Sequence, residues 1–540
     1  MSDSNATRRH LLSNLGIGLG GAALLETPRP TYAQLAAAPQ GRGLYDIRQF
    51  GATGDSKTLD TSAINKAIEA AASTGGGTVR FPPGQYLSYS IHLRSNVTLQ
   101  FETGSTLIGA DSPARGSSAS SGFYDLPESN KPWEDYQDFG HNHWHNSLLW
   151  GENLQNVAIT GPGLIWGRGL SHGRGRDGGP LAEQPGTGNK AIALKNCRNV
   201  LLRDFAILHG GHFGILATGV DNLTIDNLLI DTIRDGMDID CCRNVRISNC
   251  AVNSPWDDGI CLKSSYGLGE ARSTDMVTIT NCFVSGSFEE GALLSATFKK
   301  FAPDFRVPRT GRIKFGTESN GGFRNITISN CVFDGCEGLA LESVDGALLE
   351  DVTVTNLTMR DIVHAPLFIR LGRRMRGPQG RLIGTLQRII ISNIVSYNSA
   401  SRGASLIIGV PEKAIEDLRI HDLYLQHQGG GTKDMTAVNP PEQETGYPDP
   451  GRFGVTPSHG FYLRHVKNID MSNIEIAPAA EDLRPAFALD EVQGADFFRV
   501  KAPTASGVPM FALNRVKDFS VSASKLVPDI KIEQADRRTL

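Results

Sequence analysis

One short phrase, roughly Asn-apolar-x-apolar, returns along this chain. It stands at Asn156-Val157-Ala158-Ile159, Asn199-Val200-Leu201-Leu202, Asn222-Leu223-Thr224-Ile225, Asn244-Val245-Arg246-Ile247, Asn325-Ile326-Thr327-Ile328 and Asn468-Ile469-Asp470-Met471, with Asp351 and Asp417 opening variants of it. Asn222 follows Asn199 by 23 residues, and Asn244 follows Asn222 by 22. Each phrase alternates apolar with polar and is rich in Val, Ile and Thr, the pattern of a half-buried strand. One such strand cannot bury its apolar side alone, whereas stacked coils make a continuous core. A period near 22 accommodates about three short strands per coil, and propeller blades need about 40–50 residues. The expected fold is all-β: a single right-handed parallel β-helix, with Ile, Val, Asn and Cys ladders at inner positions.

The start of the chain fits that solenoid. Asp60-Thr61-Ser62 opens with capping residues, and Ile64, Ala67, Ile68 and Ala71 follow at the spacing of one helical face. A single amphipathic helix there would cover the open end of the first coil. No charge run or long linker divides 44–540, so one domain is expected, with the polar stretch 427–457 as a long surface loop. Cys250, Cys282 and Cys331 close the same Ser/Thr-Asn-Cys phrase, so a buried thiol ladder is expected in place of disulfides, and no cysteine spacing suits zinc.

Residues 1–33 read as an address. Thr7-Arg8-Arg9-His10 precedes the apolar stretch Leu15 to Leu25, and Thr31-Tyr32-Ala33 offers small residues for cleavage. This is the order of a twin-arginine signal, implying a periplasmic or secreted protein. Beyond it, no apolar run reaches the length of roughly 20 residues needed to span a bilayer. A net charge of −4 gives no footprint for nucleic acid.

Carboxylates concentrate in two adjacent repeats. Arg234-Asp235-Gly236-Met237-Asp238 is followed, 22 residues after Asp235, by Trp256-Asp257-Asp258-Gly259-Ile260-Cys261-Leu262-Lys263. Coils of that length place Asp235 beside Asp257 and Asp258, about 5 Å apart along the axis. Three carboxylates so close cannot all ionise easily, so one pKa should rise. A protonated acid beside an ionised base is what glycoside hydrolysis requires.

The helix-capped start, the Asn-Val-x-Ile coils and the Asp-Gly-Met-Asp…Asp-Asp-Gly-Ile-Cys-Leu-Lys series resemble glycoside hydrolase family 28, the polygalacturonases and their relatives, over roughly 44–500. The resemblance implies Asp257 as general acid, with Asp235 and Asp258 as the bases that activate an inverting water. The chain departs from the family's Gly-His-Gly and Arg-Ile-Lys. Arg312-Ile313-Lys314 stands one coil too early, and Ala340 and Glu342 occupy the register of the family's Arg and Lys. The galacturonate clamp that the resemblance would assign is therefore missing.

Candidate substrate contacts are Arg234, Trp256, Lys263, Arg312, Lys314, Glu318, Glu342 and Arg370. Arg373, Arg374 and Arg376 continue a basic loop. His141, His143 and His145, with Trp144, form either a sugar-contacting rim or an ordinary loop. The expectation is a monomeric hydrolase of acidic plant polysaccharide, using no cofactor or metal. Its rivals are a β-helix polysaccharide lyase and a non-catalytic carbohydrate-binding β-helix.

Overall fold

The computed structural model describes residues 43–112, 122–138, 140–172, 184–400 and 404–540. The leader read at 1–33 lies outside the described residues. From Gly43 onward the repeats stack as the period requires. A representative coil comprises the strands Asp235–Asp240, Arg243–Ser248 and Ala251–Asn253. Each pairs in parallel with its counterpart in the coils before and after. The chain is a right-handed parallel β-helix.

The apolar positions of the phrase form the core. Val157, Val200, Leu223, Val245 and Val277 stack in register, as do Ile159, Leu202, Ile225, Ile247 and Ile279, all buried. Burying each such side chain contributes roughly 1.5–3 kcal/mol relative to exposure. Cys250, Cys282 and Cys331 also face inward in register, and all eight cysteines are buried and unpaired.

The asparagines differ from expectation. Asn156, Asn199, Asn222 and Asn244 are exposed, at corners with φ of 55–57°. That left-handed turn favours Asn over branched residues. Their amides form a chain up the outside of the solenoid. Asn199 donates to Asn156 at 2.9 Å, Asn222 to Asn199 at 2.9 Å and Asn244 to Asn222 at 2.7 Å. The repeat's most visible letter thus marks a corner, while its Val and Ile mark the core.

Both ends are covered. The helix Thr61–Ser73 buries Ala63, Ile64, Ala67, Ile68 and Ala71 against the first coils. Asp60 does not cap it through its side chain; its carboxylate accepts the amides of Thr53 and Gly54 at 2.7 and 3.1 Å. At the other end Ile530–Thr539 pairs antiparallel with Phe511–Ser522, a departure from the all-parallel expectation that closes the last edge. The stretch 427–457 carries the 3-10 turns Lys433–Ala437 and Pro450–Phe453 and packs onto the solenoid.

Candidate active site

Asp235 begins one strand, and Asp257 and Asp258 lie in the turn before the next, Ile260–Ser264. Met237 pairs with Ile260, which sets Asp235 beside Asp258. One carboxylate oxygen from each of Asp235, Asp257 and Asp258 lies within 4.8 Å of those of the other two. This is tighter than the carboxyl separation of roughly 6.5–9.5 Å expected for an inverting pair.

The three acids have different surroundings. Asp258 is buried, which pushes its carboxyl up. Lys314 Nζ at 3.1 Å and Arg312 Nε at 2.9 Å more than offset this and hold it below its usual value. Asp257 keeps 27% of its side chain exposed and binds Arg234 Nη2 at 2.6 Å. Burial raises its proton affinity and Asp258 adds to this, with Arg234 pulling the other way. Asp235 is the most proton-retaining of the three: burial raises it well above the ordinary range, and Asp238 and Asp257 add to that. The sequence reading put that proton on Asp257. The order differs because Arg234 bonds to Asp257, while burial and the neighbouring acids outweigh Lys263 at Asp235.

The cations expected to touch substrate are largely engaged. Arg312 bonds Asp258 and also Glu337; Lys314 lies 3.9 Å from Glu342. The strand Ile313–Ser319 pairs directly with Ile260–Ser264, so these two residues stand in the coil next to the acids. Glu342 is sealed from solvent, and neither carboxylate oxygen has a hydrogen-bond partner. Its burial, opposed by Lys314 and Arg312, raises its pKa to about 7.

Lys263, Glu318 and Arg370 are buried and engaged with protein groups, as Arg312 and Lys314 are. Lys263 Nζ bonds Glu318 at 3.2 Å, and Glu318 accepts His141 Nδ1 at 2.5 Å. Arg370, 1% exposed, donates to the carbonyls of Gly409, Glu442 and Gln443 at 2.8–2.9 Å. It pins the 427–457 stretch and faces no substrate. Arg374 and Arg376 likewise bond Asp345 and Asp138 in place of solvent. Trp256 stays at the rim, 39% exposed.

Two more groups stand beside the site: His141, which the sequence offers as either sugar-contacting rim or ordinary loop, and Tyr447, which it does not single out. His141, drawn from the loop before Leu149–Glu152, bridges Glu318 and Asp238 Oδ2, the latter at 3.1 Å. Burial alone would lower its pKa, but the Glu318 carboxylate and the bond to Asp238 raise it to about 10. Tyr447, from the polar stretch, places its hydroxyl 3.3 Å from Lys314 Nζ. Neither has a motif: each is brought in by a loop whose docking depends on distant partners. Among the described residues, three groups have metal-ligating spacing: Glu128/His145/Glu152, Asp138/His141/Glu318 and the three aspartates. Lys195, Arg376 and Arg312 with Lys314, respectively, already ion-pair with an acid of each group.

This fold and carboxylate cluster define a parallel β-helix protein with three converging aspartates on its outer face. Residues 44–161 match a family model described as rhamnogalacturonase A/epimerase, pectate lyase-like, and residues 190–406 match one described as right handed beta helix region. A probable polygalacturonase of Vitis vinifera is 24% identical over 62% of this chain and 64% of its own. An exo-poly-alpha-D-galacturonosidase of Dickeya chrysanthemi is 23% identical over 41% of this chain and 42% of its own. The chain thus spans less than two thirds of the length of these relatives. The solved family 28 exopolygalacturonase of Yersinia enterocolitica superposes with a TM-score of 0.57 at 18% identity, covering 91% of this chain and 79% of that one. The exopolygalacturonase of Thermotoga maritima does so with 0.54 at 17%, covering 93% and 96%. The chain is thus similar in sequence to polygalacturonases and shares the β-helix fold of these exopolygalacturonases.

Proposed function

We propose that this chain is an exported glycoside hydrolase that cleaves pectic polysaccharide by direct displacement with water, inverting the anomeric carbon. The observation that carries the reading is the convergence of Asp235, Asp257 and Asp258 with unequal proton affinities. The names of the sequence relatives supply the substrate class.

Asp257, the most exposed of the three, is the group that reaches the leaving oxygen. The nearby carboxylate of Asp235 raises its hold on a proton by repulsion, and Arg234 fixes its orientation. Asp258, kept ionised by Lys314 and Arg312, is the base toward water. Both of its oxygens face cations, which weakens it as a nucleophile at carbon while leaving lone pairs to orient a water. This favours one displacement over a covalent intermediate, despite the close spacing.

The test is hydrolysis of pectic backbones followed by proton NMR of the first-formed anomer. Inverted product with new reducing ends supports the reading; retained configuration overturns direct displacement. An unsaturated, ultraviolet-absorbing product identifies the lyase instead. Asp257→Asn and Asp258→Asn should each lower kcat by about 10²–10⁴-fold. Near-native turnover in both removes these residues from catalysis.

A further inference from the structure

We infer that the acids lie in a pocket closed along the solenoid axis, so that the protein acts on chain ends, with Tyr447 and its segment as the wall that enforces this. The inference rests on the hydrolase reading above, and its ground is the outward face of one sheet. On that face, alternating with core positions, Ala193, Leu216, Asp238, Cys261, Lys314, Ala340, Phe368, Leu406 and Tyr462 follow one another in register. Outward residues of a solenoid are ordinarily wet. Every one of these is at most 2% exposed.

Two segments of the same chain cover them. On the N-terminal side Trp144 packs on Ala193, Phe213 and Leu216, and His141 covers Asp238. On the C-terminal side Tyr447 meets Lys314, and Phe453 packs with Ala340, Phe368, Leu406 and Tyr462. The row at the strand starts is shut too: Phe213 is fully buried before Asp235, and Ala365 is 2% exposed beyond Glu337. Openness is left at Arg234, Trp256 and Asp257, with Tyr447, 38% exposed, beside Lys314. From the Asp258 coil to the Ala340 coil is two strand spacings, about 10 Å. A polysaccharide running along the axis has no track through such a face. A terminal sugar can enter, with Tyr447 offering a ring face and a hydroxyl.

The wall is held from behind. Arg370 donates to the carbonyls of Glu442 and Gln443, both at 2.9 Å, and Arg373 pairs with Glu444 at 3.0 Å. The segment is therefore anchored to the sheet on the side away from the acids.

The experiment uses the full-length protein with pectic oligosaccharides of defined length, homogalacturonan and mixed rhamnose–galacturonate, labelled at the reducing end. Early products are separated by size. Release of terminal units alone supports the inference. An early ladder of internal fragments overturns it and leaves the hydrolase reading standing, whereas no cleavage of any substrate sinks both. Tyr447→Ala should lower kcat/KM for terminal release about tenfold, the loss of one aromatic contact. Replacing 433–449 by a short Gly/Ser linker should let internal fragments appear. Strictly terminal, undiminished release by Tyr447→Ala, with native circular dichroism, overturns the assignment of the wall even where the linker variant fails to fold.

Discussion

Lys314 Nζ stands 3.1 Å from Asp258 Oδ2, so the proposed catalytic base is held by a lysine of the next coil. The consequence is a pH profile. Asp258 must be ionised to activate water, and Lys314 helps keep its carboxyl below the usual range against the effect of burial. Lys314→Met removes the charge and keeps the stem. It should move the acidic limb of the kcat/KM profile to higher pH, because Asp258 without the lysine charge takes up its proton at higher pH. Lys314→Arg should restore the limb. An unmoved limb in Lys314→Met would show that the pair does not tune the base.

Glu342 predicts a pH dependence of stability. Its folded pKa of about 7 lies above the usual glutamate value of about 4.3, so between these values the folded state binds more protons than the unfolded one. Stability should therefore fall as pH rises from about 4.3 to 7, by at most about 4 kcal/mol from this group. Glu342→Gln should remove that slope. Denaturant titrations of both proteins at several pH values check this, and an identical slope in the variant refutes it.

The solenoid was legible in the sequence because its information is local and repeated. Val200, Leu223 and Val245 announce the core through alternation and period, and the same register aligns Asp235 with Asp258. Arg234, Arg312 and Lys314 stand beside the acids as that register implies, whereas the groups brought in by loops were not legible. Tyr447 reaches Lys314 across 133 residues and His141 reaches Glu318 across 177, and nothing near either residue encodes its docking. Arg370 looked like a basic-loop residue, yet its neighbours Phe368 and Leu371 place it within a strand, where its guanidinium is used up on carbonyls. Composition of a segment tells how it can pack, but the partner decides which charges remain for a ligand.

The cysteines give a chemical test of the core. All eight are buried without partners, and several are pushed above the ordinary thiol range by burial. A thiol reagent should titrate essentially none in the native protein and eight after denaturation. Fewer than eight in non-reducing denaturant would reveal disulfides.

The leader is tested by export. Replacing Arg8 and Arg9 by lysine should strand the protein in the cytoplasm if the paired arginines are the address. Mass spectrometry of the exported wild-type protein should show a start after Ala33. An exported chain beginning at Met1 contradicts the reading.

The substrate at the cleaved bond follows from the charges that face it. Among the described residues of the pocket, each cation is already matched: Arg234 with Asp257, Arg312 with Asp258 and Glu337, and Lys314 with Asp258 and Glu342. Arg370, paired in register with Glu342, faces carbonyls. A uronate carboxylate placed there would join an excess of acids in a site with little water, and an unpaired buried charge is costly. A neutral sugar meets no such penalty, and its hydroxyls find carboxylates able to accept them. We therefore propose a neutral residue such as rhamnose at the bond, within a branched pectin. Initial rates on homogalacturonan and on an alternating rhamnose–galacturonate backbone decide this. Preference for the mixed backbone is expected, and a strong preference for homogalacturonan would refute the charge argument built on Lys314 and Glu342.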